Sequence, residues 1–427
     1  MYFTARLAAP RIVGYSARMD GKRIVIAGGG AAGFFGAIAC AEKSSDARVV
    51  ILEKSPELLA KVTISGGGRC NVTNACFDPK ILASRYPRGG RELIGAFHRW
   101  QPRDTVEWFE SRGVKLKTED DGRMFPATDK SSSIVTCLIH EAEKAGVEIR
   151  KSCGVAAAAR KSDDGFRLAL TDRETLDCDC LLIATGGNQN SIGHEIAASL
   201  GHEITPLVPS LFTFNIKDRR LEGLPGISVA NAAVEAVGTK LRQTGPILVT
   251  HWGLSGPAIL KLSAWGAREF AERNYEFDLL VNWLSDLKRP ELILKLGEVR
   301  AQNSAKQIGA FSPVEIPSRL WKSLASGAGI SETTRWGGIA NRDLEKLADA
   351  LRACRFHVGG KSMFKEEFVT CGGVNLREVD FRTMQSKLCA GLFFAGEVLD
   401  IDGVTGGFNF QAAWTTGWIA GTSMAEI

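Results

Sequence analysis

The chain reads as an α/β protein built on a parallel sheet, with a β-rich domain inserted into it. Three observations carry this. A short apolar run at 24–27 is followed by spaced glycines and a helix-like stretch, and a second apolar run, "RVVIL", ends in an acid. Apolar runs of the same kind return much later, near 180–184 and 391–395, each stopping at a glycine turn. The stretch between them has a different texture, with strand-like and then helix-like segments. Continuously apolar runs suit strands covered on both faces, as in parallel sheets.

The first segment, "KRIVIAGGGAAGFFGAIACAEK", is the strongest local signal. Gly28, Gly30 and Gly33 fit G-x-G-x-x-G, and from Ala31 and Ala32 onward the pattern is helical, with Phe34, Ile38 and Ala41 on one face. Glu53 follows the last glycine by 20 residues, the spacing of a dinucleotide-binding βαβ unit. Gly28 permits the tight turn, Gly30 lets the backbone approach a pyrophosphate, and Gly33 lets helix and strand pack closely. The helix N-terminus presents N–H groups and a positive dipole end. Glu53 accepts ribose hydroxyls and repels a 2′-phosphate.

The fingerprint does not separate NAD from FAD; two later segments favour FAD. "DCDCLLIATGGNQN" (177–190) is a buried strand ending at Thr185-Gly186-Gly187. "GLFFAGEVLDIDGVTGGFNFQAAWTTGWIAG" (391–421) is another strand, then Gly396-Glu397, a second turn at Gly406-Gly407, and a small-residue helix. A C-terminal return to the first sheet is what the ribityl-flavin half of FAD requires. No second G-x-G-x-x-G follows a strand, so NAD(P)H enters as a transient donor or the substrate supplies the electrons. The chemistry belongs to the flavin, positioned and tuned by the protein.

Composition bounds the rest. The 427 residues are 44% hydrophobic and 24% charged, as in ordinary globular proteins. Lys and Arg number 53 against 48 acids, a surplus that argues against a nucleic-acid or membrane partner. No apolar run reaches the ~18 residues of a membrane span. The first nineteen residues are Arg-bearing and acid-free, and Met19 precedes the fold. They read as a disordered extension or an upstream start; an organelle-targeting tail is the alternative. Ten scattered cysteines without a C-x-x-C pair suit reduced cytosolic thiols, and so a cytoplasmic protein with no metal site.

Four motifs, "SGGGRCNVTN", "GRMFPATDKSSS", "THWGLSGPAIL" and "GLFFAGEVLDIDGVTGGFNFQAA", together resemble the BaiN/YhiN-like, aminoacetone-oxidase-type bacterial FAD-binding enzymes, from Lys22 to the end. The resemblance implies a Rossmann-like two-dinucleotide-binding FAD domain (22–190 and 371–427), an inserted β-barrel-like domain (191–285 and 353–370), and a small helical subdomain (286–352), after an extension at 1–21. One departure stands after "ATGG": the family's Ser-Tyr-Pro step and glycine-rich run are replaced by "NQNSIGHEIAASLGH". The resemblance also implies that residues 66–71 wrap the FAD with backbone amides, with Arg69 toward phosphate or the flavin rim and Lys61 assisting. The expected cofactor contacts are Gly28, Gly30, Ala31, Ala32, Gly33, Glu53, Lys54, Lys61, Gly67, Gly68, Arg69, Cys70, Asn71, Val155, Thr185, Gly186, Gly187, Gly396, Glu397, Gly406, Gly407, Phe408 and Asn409. The helix starting at Phe408 is expected to aim its N-terminus at the flavin N1–C2=O edge.

Other residues read as structural. Cys70 and Cys76 are six apart and do not share a helix face, which disfavours a redox disulfide. Cys178 and Cys180 fall on one face of a strand, two thiols short of a zinc site. His251 reads as a hydrogen-bonded core histidine, with proton donation to the flavin as the alternative; Arg123 reads as a structural ion pair or a substrate anchor. No catalytic acid or base is assignable. The function expected is FAD-dependent redox chemistry on a small organic molecule, with an FAD-dependent nucleic-acid-modifying protein and a flavin-holding sensor as alternatives.

The purified protein is therefore expected to be yellow, and acid or heat should release its FAD. A colourless protein that binds NAD tightly and ignores FAD overturns this reading.

Overall fold

The computed structural model describes residues 21–188, 190–362 and 369–427. Residues 1–20 of the expected N-terminal extension thus lie outside the described residues, as do the first three residues of the strand read at "EEFVTCGGV". The chain divides into two compact units, Met1–Val208 with Val369–Ile427, and Pro209–Phe368.

The first unit is organised by a seven-stranded sheet. Arg23–Ala27 lies inside it, parallel to Arg48–Leu52 on one side and to Cys180–Ile183 on the other. Leu392–Phe394 extends the parallel ladder beyond Cys180–Ile183, and Glu148–Arg150 extends it beyond Arg48–Leu52. Two short antiparallel strands, Gln385–Ser386 and Val379–Asp380, finish one edge. Ile24, Val25 and Ile26 are buried, as the apolar run requires.

One face of the sheet carries the helix Ala31–Lys43, and against it packs the helix Phe408–Met424. Their approach is backbone to backbone. A Cβ at Gly421 would stand 2.2 Å from the Gly36 carbonyl oxygen, and one at Gly417 would stand 2.5 Å from that of Ala32. Aromatic rings seal the flank: Phe35 lies 4.7 Å from Trp108 and 5.1 Å from Trp414, and Trp100 stacks on Trp418 at 4.9 Å.

The second unit is a seven-stranded sheet in the order Cys354–Gly359, Glu276–Asn282, Ser228–Ala236, Arg242–Val249, Gly253–Ser255, Thr213–Asn215, Lys361–Ser362. The recorded pairings between these neighbours are antiparallel, and Thr213–Asn215 also contacts Cys354–Gly359, so the sheet curls as a barrel does. The helices Arg289–Gln302, Ser318–Gly327 and Asn341–Arg352 share one apolar cluster with the sheet, from Phe214 and Leu279 through Trp283 to Trp321 and Leu347.

Two readings need correction. The first unit runs to Val208 and resumes at Val369, rather than breaking at 190 and 371, because the helix Ile192–Ser199 and the ladder between Ile204–Ser210 and Val369–Val374 belong with it. Cys178 and Cys180 do not share a strand. The backbone breaks at Asp179, whose carboxylate accepts the Arg23 N–H at 2.7 Å, so one cysteine ends a meander strand and the other starts the central sheet.

Replacing Gly421 by valine should destabilise the first unit by about 1–3 kcal/mol or more, since the new side chain strikes a helix backbone that cannot yield. Urea unfolding followed by flavin release measures it; an unchanged midpoint contradicts the packing described.

Candidate cofactor site

The three fingerprint glycines each answer a different steric demand. Gly28 has φ 115°, and a Cβ there would lie 2.4 Å from the Ala184 carbonyl oxygen, where two parallel strands end side by side. A Cβ at Gly33 would lie 2.0 Å from the Gly28 carbonyl oxygen. At Gly30 nothing stands within 4 Å of the Cβ position, so that backbone is bare. The helix begins at Ala31 without a side-chain cap and with no acid in its first turn. Its N-terminal donors and dipole are left for an anion.

Glu53 closes this turn. Its carboxylate accepts the Gly29 N–H at 2.7 Å and the Ser55 N–H at 2.8 Å. Both oxygens retain acceptor capacity for ribose hydroxyls. Lys54 is exposed beside it, and a Cβ on Gly154, the neighbour of buried Val155, would lie 2.7 Å from the Lys54 Cβ.

The remaining residues form two linked groups. In the first, a Cβ on Gly187 would meet the Glu397 carbonyl oxygen at 2.5 Å, and one on Gly396 would meet the Ala32 Cβ at 2.9 Å. Lys61 forms an ion pair with Glu397, tying the kinked helical segment Ala60–Gly68 to the Gly396 turn. Thr185 pairs with Ser191 through their hydroxyls at 2.7 Å. Gly67, Gly68 and Gly186 all have positive φ and open space at the Cβ position.

The second group was not legible in the sequence. Asn71, with its amide oriented to satisfy both neighbours, accepts the Gly407 N–H at 3.0 Å and donates to the Thr73 carbonyl at 3.2 Å. Asn74 donates to the Gly406 carbonyl at 3.0 Å, and the Trp414 indole donates to the Val72 carbonyl at 2.9 Å. The Thr73 hydroxyl donates to the Gln411 side-chain oxygen at 2.6 Å, and Thr105 donates to the same oxygen at 3.1 Å. Asn409 brackets Gly403 with two hydrogen bonds, and the Tyr86 hydroxyl donates to the Phe408 carbonyl at 2.5 Å. Asp402, fully buried, forms an ion pair with Arg88. The "GRCNVTN" and "GGFNFQ" motifs are therefore clasped together, and a Cβ on Gly407 would lie 2.4 Å from the Thr73 carbonyl oxygen.

Some expectations land elsewhere. Arg69 faces acids: Glu119 at 2.6 Å and Asp129 at 3.5 Å, with its guanidinium 4.0 Å from the Phe125 ring centroid. Arg123 shares Glu119 at 2.9 Å, as an ion pair. Cys70 is buried with φ 61°, and burial pushes its thiol up to about 12, away from the thiolate that redox exchange uses. Cys76 is a free, half-buried thiol. His251 is exposed and is not the core histidine expected. The buried histidines are instead His194, whose Nε2 lies 3.2 Å from the Val398 carbonyl oxygen, and His202; burial lowers the pKa of both.

Bare glycines, an uncapped helix N-terminus and a carboxylate at the end of the second strand fit the pyrophosphate and ribose of a dinucleotide cofactor such as FAD, and they define a Rossmann-type dinucleotide-binding protein. The chain belongs to the family described as HI0933-like protein Rossmann domain, which it matches over residues 22–423. It is 31% identical over 406 residues to the ribosomal RNA dihydrouridine synthase of Escherichia coli, covering 92% of this chain and 96% of that protein. It is 28% identical over 413 residues to the 3-dehydro-bile acid delta(4,6)-reductase of Clostridium scindens, covering 95% and 99%. Its fold matches that of 3-ketosteroid-delta4-(5alpha)-dehydrogenase from Rhodococcus jostii at a TM-score of 0.50 and 13% identity, over 97% and 99% of the two chains. The protein is an FAD-dependent oxidoreductase.

Replacing Glu53 by alanine should weaken FAD binding at least about tenfold, because charge-assisted hydrogen bonds contribute ~1.5–3 kcal/mol each. Calorimetric titration of the apoprotein checks it; an unchanged dissociation constant removes Glu53 from the ribose site. Gln411→Leu should cost about 1–3 kcal/mol in stability, since Thr73 and Thr105 are then left without their shared acceptor.

Proposed function

We propose that the protein reduces a carbon–carbon double bond conjugated to a carbonyl, with a uracil base of ribosomal RNA as substrate and NAD(P)H as electron donor. The observation that carries this is the 31% identity, over nearly the whole of both chains, to a protein named for dihydrouridine synthesis. The bile-acid relative's name points to the same chemistry on a different skeleton. Saturating the uracil C5–C6 bond and saturating a bond conjugated to a 3-oxo group each need a hydride at the carbon β to the carbonyl and a proton at the α carbon.

When bound, FAD would supply the hydride. This chain's residues would hold the adenosine half of the cofactor: Glu53 would take the ribose, and the helix starting at Ala31 the pyrophosphate. The bare backbone at Gly67, Gly68 and Gly186 leaves room for close approach, and the Lys61–Glu397 pair fastens the two segments that carry it. The helix from Phe408 is seated by Asn71 and Thr73 and would serve a bound flavin as a fixed dipole. Gly407→Val would strike Thr73 before it altered that dipole, so it reads packing rather than potential.

The reading sets aside the expectation, drawn from whole-chain charge, that nucleic acid plays no part. A net charge averaged over 427 residues says little about one face.

Anaerobic addition of NADH or NADPH should bleach the flavin. Unmodified ribosomal RNA should then restore its absorbance and yield dihydrouridine, whereas a steroid 4,6-dien-3-one should not. Reoxidation by the steroid alone moves the substrate to the bile-acid class; bleaching by neither nucleotide removes NAD(P)H as donor.

A further inference from the structure

We propose that the second unit docks single-stranded RNA on the surface formed by residues 216–223 and 250–253, with Trp252 stacking on a base and Lys217, Arg219 and Arg319 meeting the phosphates. This rests on the reading of an RNA substrate and names where the RNA is held.

Trp252 is 59% exposed, more than any other Trp, Tyr or Phe among the described residues. Its loop is nevertheless pinned. The Trp252 carbonyl accepts the Ile216 N–H at 2.8 Å, and the Thr250 N–H bonds to the Gly253 carbonyl at 2.8 Å. Gly253 has φ 145°, and a Cβ there would lie 2.3 Å from the Phe214 carbonyl oxygen, so the turn is fitted against the strand Thr213–Asn215. The indole is thus presented on a firm base, in the manner of a stacking platform.

Cations lie on the adjoining segment. Lys217 follows directly on Ile216, and Lys217 and Arg219 are both exposed. Arg319, also exposed, reaches across to donate to the Gly223 carbonyl. Of the acids in 216–223, Asp218 is held by Arg220 at 2.7 Å and Glu222 is exposed. The unit as a whole, Pro209–Phe368, contains 22 Lys and Arg against 17 Asp and Glu, which is the entire positive surplus of the chain. A bare aromatic face with exposed cations on the segment hydrogen-bonded to its loop matches an unpaired strand, whose bases offer π-faces and whose backbone offers phosphates. An uncharged polycyclic substrate would have no use for the cations.

The test is fluorescence anisotropy of a labelled uridine dodecamer with the FAD-loaded protein at several salt concentrations. Trp252→Ala should weaken binding about tenfold or more, and Trp252→Phe should recover most of it. Lys217→Ala with Arg219→Ala should flatten the slope of log affinity against log salt by about 0.7 for each phosphate left without its cation. Each variant should keep its flavin spectrum and melting temperature, because all three side chains are exposed. Wild-type protein that does not bind the dodecamer, or a Trp252→Ala variant that binds it as wild type does, overturns the proposal. Uridine reduction with binding independent of Trp252 removes the docking surface and leaves the reaction. Trp252-dependent binding without uridine reduction removes the reaction and leaves the surface.

Discussion

The contact between the helices Ala31–Lys43 and Phe408–Met424 is the constraint on which the cofactor domain depends. Gly36, Gly417 and Gly421 let two helix backbones touch with no side chain between them. Any larger residue there would lift the second helix off the first. That lift would move Gly396, whose N–H is held by the Thr416 hydroxyl at 2.9 Å, away from Ala32. The glycine turn and the fingerprint turn would then no longer share one wall. Close packing leaves little slack for such a shift.

A second lock lies at right angles to this in the chemistry it uses. Where the two helices meet through missing side chains, the segments 71–74 and 406–411 meet through polar side chains that are all satisfied. A buried polar network of this kind is costly when incomplete and specific when complete. It fixes the position of the Phe408 helix end more sharply than apolar packing alone does. It also changes the meaning of the "GGGRCNVTN" stretch. Gly67 and Gly68 face open space while Gly66 abuts the Phe125 ring, its arginine faces acids, and its cysteine, asparagines and threonine face the protein.

What was legible in the sequence had a local cause. Gly33 answers the Gly28 carbonyl five residues back, Gly28 turns the chain with φ 115°, and the apolar runs at 24–27 and 180–183 announce strands covered on both faces. The partners of Thr73, Asn74 and Asp402 were illegible because they sit more than 300 residues away in the chain. Nothing near Thr73 marks it as half of a pair with Gln411. Arg69 misled because an arginine after glycines suits a phosphate, while the acids that hold it, Glu119 and Asp129, arrive 50 and 60 residues later. The charge reading misled through averaging: neutrality of one unit diluted the excess carried by the other.

The split of the cofactor domain across the chain has a consequence for how the protein comes into being on the ribosome. The strand Arg23–Ala27 and its helix emerge first, yet the helix that seats on them is made about 380 residues later. At ~5–20 residues per second, the nascent chain spends roughly 20–75 s with that bare glycine face uncovered. The inserted unit, contiguous from 209 to 368, is complete while the first is still waiting. Flavin capture is then the closing event of biosynthesis, and a shortage of FAD in the cell would be felt as misfolding of newly made chains before it was felt as a fall in turnover.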